Sequence, residues 1–386
     1  MTATPRDEKK IFGLDLMRVG AILLVLAAHI LWIYPNSKNL LTKGMNFSGF
    51  IGVELFFVLS GFLIGGSLHR VFLRQDYNWN IIKNFMRRRM LRIMPNYLLV
   101  LLVNMAVFSF LGYDIREPWK YFVFLQNFAA PMLPFFPESW SMAIKEIPYF
   151  IIPFVLLLLV GFSKNRDRMF LYMVLVLMVL PMMAKIHFYL NHPGITLPEW
   201  NVSLRSVAIY RVDAVMMGVL FAWLRFNRIG HWKKYRNVLA VSGLSILAAL
   251  AALVGFVKLS ILDFPFFYDV LFLPLISVAS AFFLPFFSEW KTAPQWLDRP
   301  VAFLGSVSYF VYLMHYSLIL FLMKHYIDTA DFTIWQLHAF TLSYLLLTFT
   351  SGWLLYRYFE KPILNFRAKQ THSYGVIEKP KPDLRA

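Results

Sequence analysis

The sequence predicts an all-α polytopic membrane protein of about ten transmembrane helices, with a re-entrant or interfacial hairpin near 119–139. Three observations carry that fold class. Hydrophobic residues make up 59% and charged residues only 15% of the 386 positions, a balance foreign to soluble domains. Apolar runs repeatedly reach the roughly 20 residues that cross a bilayer as helix. Lys and Arg are divided unequally between alternate connections, as a multi-pass chain requires. The spans fall at 11–34, 50–70, 92–112, 142–162, 168–189, 207–226, 237–257, 265–287, 303–323 and 335–357. They form one membrane domain over 11–362. A polar tail, 1–10, precedes it, and a charged, proline-bearing tail, 363–386, follows with a composition that predicts disorder.

The first span, IFGLDLMRVGAILLVLAAHILWIY, carries Asp15, Arg18 and His29. Ionisable groups at membrane depth are expensive unless partnered or solvated. Arg18 and His29 lie eleven positions apart, which at about 100° per residue returns them to one helix face, roughly 16 Å apart along the axis. Asp15 sits one turn before Arg18 and can pair with it, so a snorkelling interfacial ion pair accounts for both. A lone membrane histidine is either a polar packing residue or a functional one.

In span two, GVELFFVLSGFLI places Glu54 toward the outer end and sets Gly61 and Gly65 in a GxxxG pair, the pattern of close helix packing. A carboxylate at the depth of Glu54 calls for a cationic or histidine partner. Before span three, NFMRRRMLRIMPNY crowds Arg87, Arg88, Arg89 and Arg92 at the inner mouth. That cluster reads either as topogenic charge facing anionic lipid or as a phosphate-binding patch of guanidinium forks.

Trp119 to Ser139 is aromatic and apolar but broken by three prolines. A full crossing there would invert every later loop, so the segment is expected to be a re-entrant or interfacial hairpin held against protein. SWSMAIKEIPY then opens span four, with Trp140 as an interfacial anchor. Lys145 can snorkel, and Glu146 is either an acid/base group or half of an ion pair. Span six offers Arg211 in its outer half, with a structural salt bridge and substrate binding as the competing readings. In span nine Gly305, Ser308, Tyr312 and His315 share one stripe, consistent with a helix interface or, through His315, with function.

With the N-terminus inside, the inner segments carry 27 Lys and Arg and the outer connections 7. That bias predicts both termini in the cytoplasm. The net charge of +17 is therefore topological, and no nucleic-acid partner is expected. The N-terminus shows no cleavable-signal pattern. There is no cysteine, hence no thiolate chemistry and no disulfide. Nucleotide cradles and hydrolase signatures are absent from the sequence, and the nine histidines show no compelling metal spacing, so no metal is expected.

Together these stretches resemble the membrane-bound acyltransferase-3 family of bacterial O-acyltransferases. LDLMR…H matches the family's arginine and histidine separated by ten intervening residues, here Arg18 and His29. GVELFFVLSGFLI is similar to its second-helix signature, with Glu54 where Asp is usual, and RRRMLRIMPNY resembles its RRxxRIxPxY element. LQNF, SYFVYLMH and YRYFEKP are similar to further family stretches. The matches run in order from Leu14 to Pro362. One departure stands out: in WSMAIKEIPY, Lys145 occupies the place of the first glutamate of the family's WSLxxEExxY, leaving Glu146. Some family members also carry an extracytoplasmic esterase-like domain, for which these residues contain no stretch.

The resemblance implies transfer of an acetyl or other short acyl group from cytosolic acyl-CoA, with acetyl-CoA as donor, to a hydroxyl of an extracytoplasmic glycan or glycolipid. The setting is the bacterial inner membrane. His29 becomes the general base, with an acyl-histidine as the less favoured variant. Glu54 or Glu146 orients it, and Arg18 with Arg87, Arg88, Arg89 and Arg92 meets the phosphates or developing charge. Trp140, Arg211, Tyr312 and His315 fall to the substrate side. The rival reading is a secondary transporter for an anionic or sugar substrate, which predicts repeat symmetry that the sequence lacks.

Overall fold

The computed structural model of the chain describes residues 11–34, 37, 39–162, 165–257 and 259–365. The expected tails, 1–10 and most of 363–386, lie outside them, and helix continues through Asn365. The described residues are mostly helical, with no strand among them. Among the described residues nine helical stretches are long and apolar enough to cross a membrane. In chain order the principal helices are α1 (Phe12–Ile30), α2 (Leu40–Phe72), α3 (Trp79–Phe110), α4 (Trp140–Leu159) and α5 (Arg166–Asn191). They continue as α6 (Val212–Asn227), α7 (Ile229–Gly255), α8 (Phe267–Glu289), α9 (Gln295–Tyr326) and α10 (Ile334–Asn365).

Short polar side chains set where several helices begin. The Asn39 side chain accepts from Thr42 N at 3.0 Å, and Asn78 accepts from Ile81 N at 3.2 Å, each satisfying a backbone donor the helix leaves unpaired. Thr333 and Gln336 form a reciprocal capping box at the start of α10.

The sixth expected span differs most from its sequence reading. Hydropathy places it over 207–226, but α6 starts at Val212 and has only 16 residues, about 24 Å of helix at 1.5 Å per residue. Ala208–Tyr210 forms a separate short turn before it. α6 is shielded by protein along most of its length, which relieves it of the need to span hydrocarbon alone.

α2 is the central helix, 72% of its most apolar window being buried, whereas α7 at 17% is peripheral. α1 and α6 pack on either side of α2. The α2–α6 seam depends on glycine: a Cβ on Gly61 would strike the Val215 carbonyl, and one on Gly218 would strike the Val58 carbonyl. The GxxxG pair is thus a packing device.

Residues 119–139 do not cross. One helical turn, Trp119–Phe122, gives way to irregular chain with Phe124 and Phe136 at φ of 59° and 48°. Its backbone groups find partners in protein. Ala208 N donates to Asn127 O at 2.9 Å, Ile209 N to Phe128 O at 3.1 Å, and Met132 N to Val202 O at 3.1 Å. Tyr121 OH, buried beneath, donates to Phe135 O at 2.7 Å. Such irregular backbone is tolerated at depth only where protein satisfies it.

Candidate active site

A cavity of about 340 Å³ opens where the C-terminal end of α1 meets the middle of α9, the turn before α4 and the segment before α6. His29, from the last turn of α1, and His315, from α9, both line it. Their rings meet edge to face, centroids 4.8 Å apart, with Tyr316 5.0 Å beyond His29. The pairing was not visible in sequence, where 286 residues separate the two.

The hydrogen bonds fix the tautomers. His29 Nδ1 lies 2.9 Å from Val25 O, and His315 Nδ1 lies 2.7 Å from Tyr312 O. A carbonyl only accepts, so each Nδ1 carries the proton and each Nε2 the lone pair. His315 Nε2 stands 3.3 Å from His29 Nδ1, a second acceptor for that N–H. The arrangement leaves His29 Nε2 as the free basic nitrogen of a ring that faces the cavity.

A wide turn over His315–Leu320 interrupts α9, the kind of bulge that recurs at functional sites. Glu138 secures it: one carboxylate oxygen accepts from Ser317 N at 3.0 Å and Ser317 Oγ at 2.7 Å. Glu138 also lines the cavity and is 5% exposed. Tyr312 spans the same wall, its hydroxyl 2.5 Å from Ser141 Oγ and donating to Glu138 O at 3.2 Å.

The two carboxylates expected to orient His29 are engaged elsewhere. Glu54 is paired with Arg211 and accepts from Ser277 Oγ at 2.5 Å. Glu146 accepts from Arg89 Nε at 3.1 Å and Nη2 at 2.8 Å, and that guanidinium sits 3.0 Å from the Tyr149 ring centroid. The histidine partner of His29 takes the place assigned to them. Glu146 is therefore half of an ion pair, and Arg211, fully buried against Glu54, does not line the cavity.

Of the four inner-mouth arginines, Arg89 turns inward while Arg87, Arg88 and Arg92 are exposed. Arg18 pairs with Asp15 at 2.6 Å, and Arg92 lies near enough to act on it electrostatically. The basic cluster thus meets the N-terminal part of α1, and His29 stands at the other end. Trp140 is not a rim anchor: it is 9% exposed, lines the cavity and packs edge-on to Phe57. Lys145 Nζ lies 5.7 Å and 5.4 Å from the Phe56 and Tyr312 ring centroids.

Two cavity residues escaped the sequence reading. Glu138 reads as part of a proline-broken loop, and Arg205 as the single basic residue of an outer connection. That isolation was the one available signal for Arg205. Its guanidinium lies over the rings of Phe50 at 4.4 Å and Trp140 at 5.1 Å. Among the described residues no group of three or more potential metal ligands gathers.

A family model described as "Acyltransferase domain", of the acyltransferase-3 type, matches residues 11–357. The O-acetyltransferase OatA of Staphylococcus aureus is 25% identical over 397 aligned residues, covering 96% of this chain and 59% of its own. The peptidoglycan O-acetyltransferase OatA of Listeria monocytogenes is 26% identical, covering 94% of this chain and 57% of its own. This chain therefore spans somewhat more than half the length of these relatives. No solved structure matches it. A match over nearly the whole membrane domain, together with a cavity built around the motif histidine, makes this chain a member of the acyltransferase-3 family.

Proposed function

We propose that the chain is an integral membrane O-acyltransferase that moves an acetyl or other short acyl group from cytosolic acyl-CoA to a hydroxyl of an extracytoplasmic glycan. The observation that carries this reading is His29: a cavity-facing imidazole with Nδ1 tied to Val25 O and His315, and Nε2 free. His29 Nε2 takes the proton of the acceptor hydroxyl as that oxygen attacks the thioester carbonyl. The carbon–sulfur bond then breaks, and the imidazolium returns its proton to the departing thiolate. His315 Nε2 accepts from His29 Nδ1–H throughout, so the developing imidazolium keeps both partners of that edge.

The donor's phosphates suit the exposed Arg87, Arg88 and Arg92 with Arg18 behind them, since guanidinium forks match phosphate oxygens. α1 links that cluster to His29. The bias of Lys and Arg supports an orientation with both termini in the cytoplasm of a bacterial inner membrane, the histidine cavity then facing the envelope side. The relatives' names support O-acetylation.

The test is transfer of labelled acetyl from acetyl-CoA to an envelope glycan by purified protein in nanodiscs. Activity is expected for the wild-type chain and its loss, by at least about a hundredfold, for His29→Ala. Full activity in His29→Ala refutes the base assignment, and no thioester consumption by the wild-type protein refutes the reaction.

A further inference from the structure

Several buried and half-buried cations in this membrane domain are matched by carboxylates: Arg18 has Asp15, Arg89 has Glu146, Lys185 has Asp213 and Arg211 has Glu54. Among the described residues the half-buried Lys145, Arg166, Arg205 and Arg225 form no such ion pair. Of these, only Arg205 lines the cavity that holds His29.

The setting of Arg205 constrains what it can receive. Its guanidinium carbon lies 4.4 Å and 5.1 Å from the Phe50 and Trp140 ring centroids, rings that offer its N–H groups no side-chain oxygen to bond. Of five donors one, on Nη1, reaches Asn201 Oδ1 at 3.3 Å. An in-plane fork with spare donors is the geometry that binds a carboxylate bidentately. The one acid on the cavity wall, Glu138, is tied through an oxygen to Ser317 and forms no ion pair with Arg205. Across the cavity Trp32, 56% exposed, stands edge-on to Tyr316 with centroids 5.5 Å apart, offering an apolar wall to the face of a sugar ring. The volume is at the small end of ligand pockets, which run from roughly 300 to 1,000 Å³, and suits one ring.

We propose that the acceptor is an acidic sugar, whose carboxylate is held by Arg205 while its hydroxyl is presented to His29. The proposal rests on the acyl-transfer reading for the meaning of "acceptor", but the recognition itself is a binding property and is tested as one. The carboxylate ion-pairs with a cation that otherwise has no counterion, so the neutral analogue loses a charge-assisted pair of hydrogen bonds. Arg205 is a specificity residue, and the bond-making step makes no use of it.

The experiment is a titration of the full chain in nanodiscs with methyl β-D-glucuronide and methyl β-D-glucoside, followed by saturation-transfer NMR. Wild-type protein is expected to bind the glucuronide about ten- to a hundredfold more tightly. Arg205→Gln abolishes that preference, and Arg205→Lys, which keeps the charge without the fork, restores part of it. Unaltered CoA binding and a monodisperse elution profile establish that the variants are folded. Equal affinities in the wild type, or a preference that survives Arg205→Gln, overturn the proposal. A parallel assay of acetyl-CoA hydrolysis without sugar distinguishes the alternative. If Arg205→Gln lowers hydrolysis as much as transfer, Arg205 serves the reacting centre and the acidic-acceptor assignment falls. A wild-type protein that prefers the glucuronide yet transfers nothing leaves this inference standing and sinks the acyl-transfer reading alone.

Discussion

Replacing His315 by Leu tests the histidine pair most directly. His315 is fully buried and its Nε2 is the second acceptor for His29 Nδ1–H at 3.3 Å, while Val25 O remains at 2.9 Å. Leu fills much of the same volume and removes the acceptor, together with the Nδ1–H donor to Tyr312 O, which lies away from His29. A hydrogen bond is worth about 0.5–1.5 kcal/mol net, and the long 3.3 Å separation places this one at the lower end. At about 1.4 kcal/mol per decade, the expected loss in kcat is roughly two- to fivefold. Loss of the base itself costs about 10²–10⁴-fold. Labelled acetyl transfer in nanodiscs, at saturating donor, reads the difference, with acetyl-CoA affinity and thermal midpoint measured as controls. His315→Gln, whose amide oxygen can accept in the same region, should recover part of the loss. If His315→Leu falls as far as His29→Ala, with folding intact, then the two roles have been assigned the wrong way round. If it changes nothing, the second acceptor is irrelevant to the imidazolium.

Three further outcomes follow from the packing and the charges. Arg89→Ala strands Glu146, 1% exposed, without its bidentate partner, and should cost about 3–5 kcal/mol of stability, whereas the paired change Arg89→Met with Glu146→Leu should recover most of it; thermal unfolding in detergent reads both, and a harmless single variant would contradict the pairing. Gly61→Val drives a side chain into the Val215 carbonyl, and the resulting separation of α2 from α6 should cost about 1–3 kcal/mol or block folding, visible as a lowered thermal midpoint or lost monodisperse protein. Arg88→Gln with Arg92→Gln removes two exposed charges from the inner mouth; the Kd for CoA should rise about tenfold or more and its salt dependence should flatten, while an unchanged Kd would place the phosphates elsewhere.

What could be read along the chain was whatever is local. Helix positions follow from runs of apolar residues, because each crossing must satisfy its own backbone within one continuous segment. The three prolines of 119–139 announced a segment that does not cross, since proline removes backbone donors and breaks regular helix. The sixth span differs by a few residues at its start: Ala208 N and Ile209 N donate to Asn127 O and Phe128 O, long-range ties invisible to any hydropathy window, and regular helix begins only at Val212.

The site divides in the same way. His29 and Arg18 stood out as costly residues in a single apolar run, and their helical spacing put them on one face without reference to any other part of the molecule. Which partner each charge chose depended on helix adjacency: Glu146 meets Arg89 across 57 residues, Glu54 meets Arg211 across 157, and His29 meets His315 across 286. A carboxylate at membrane depth demands a cation, but composition offers several, and proximity in the packed bundle selects among them. Arg205 and Glu138, on short helical turns of five and three residues that carry no periodicity to mark a face, acquire their meaning solely from the cavity that the folded helices enclose.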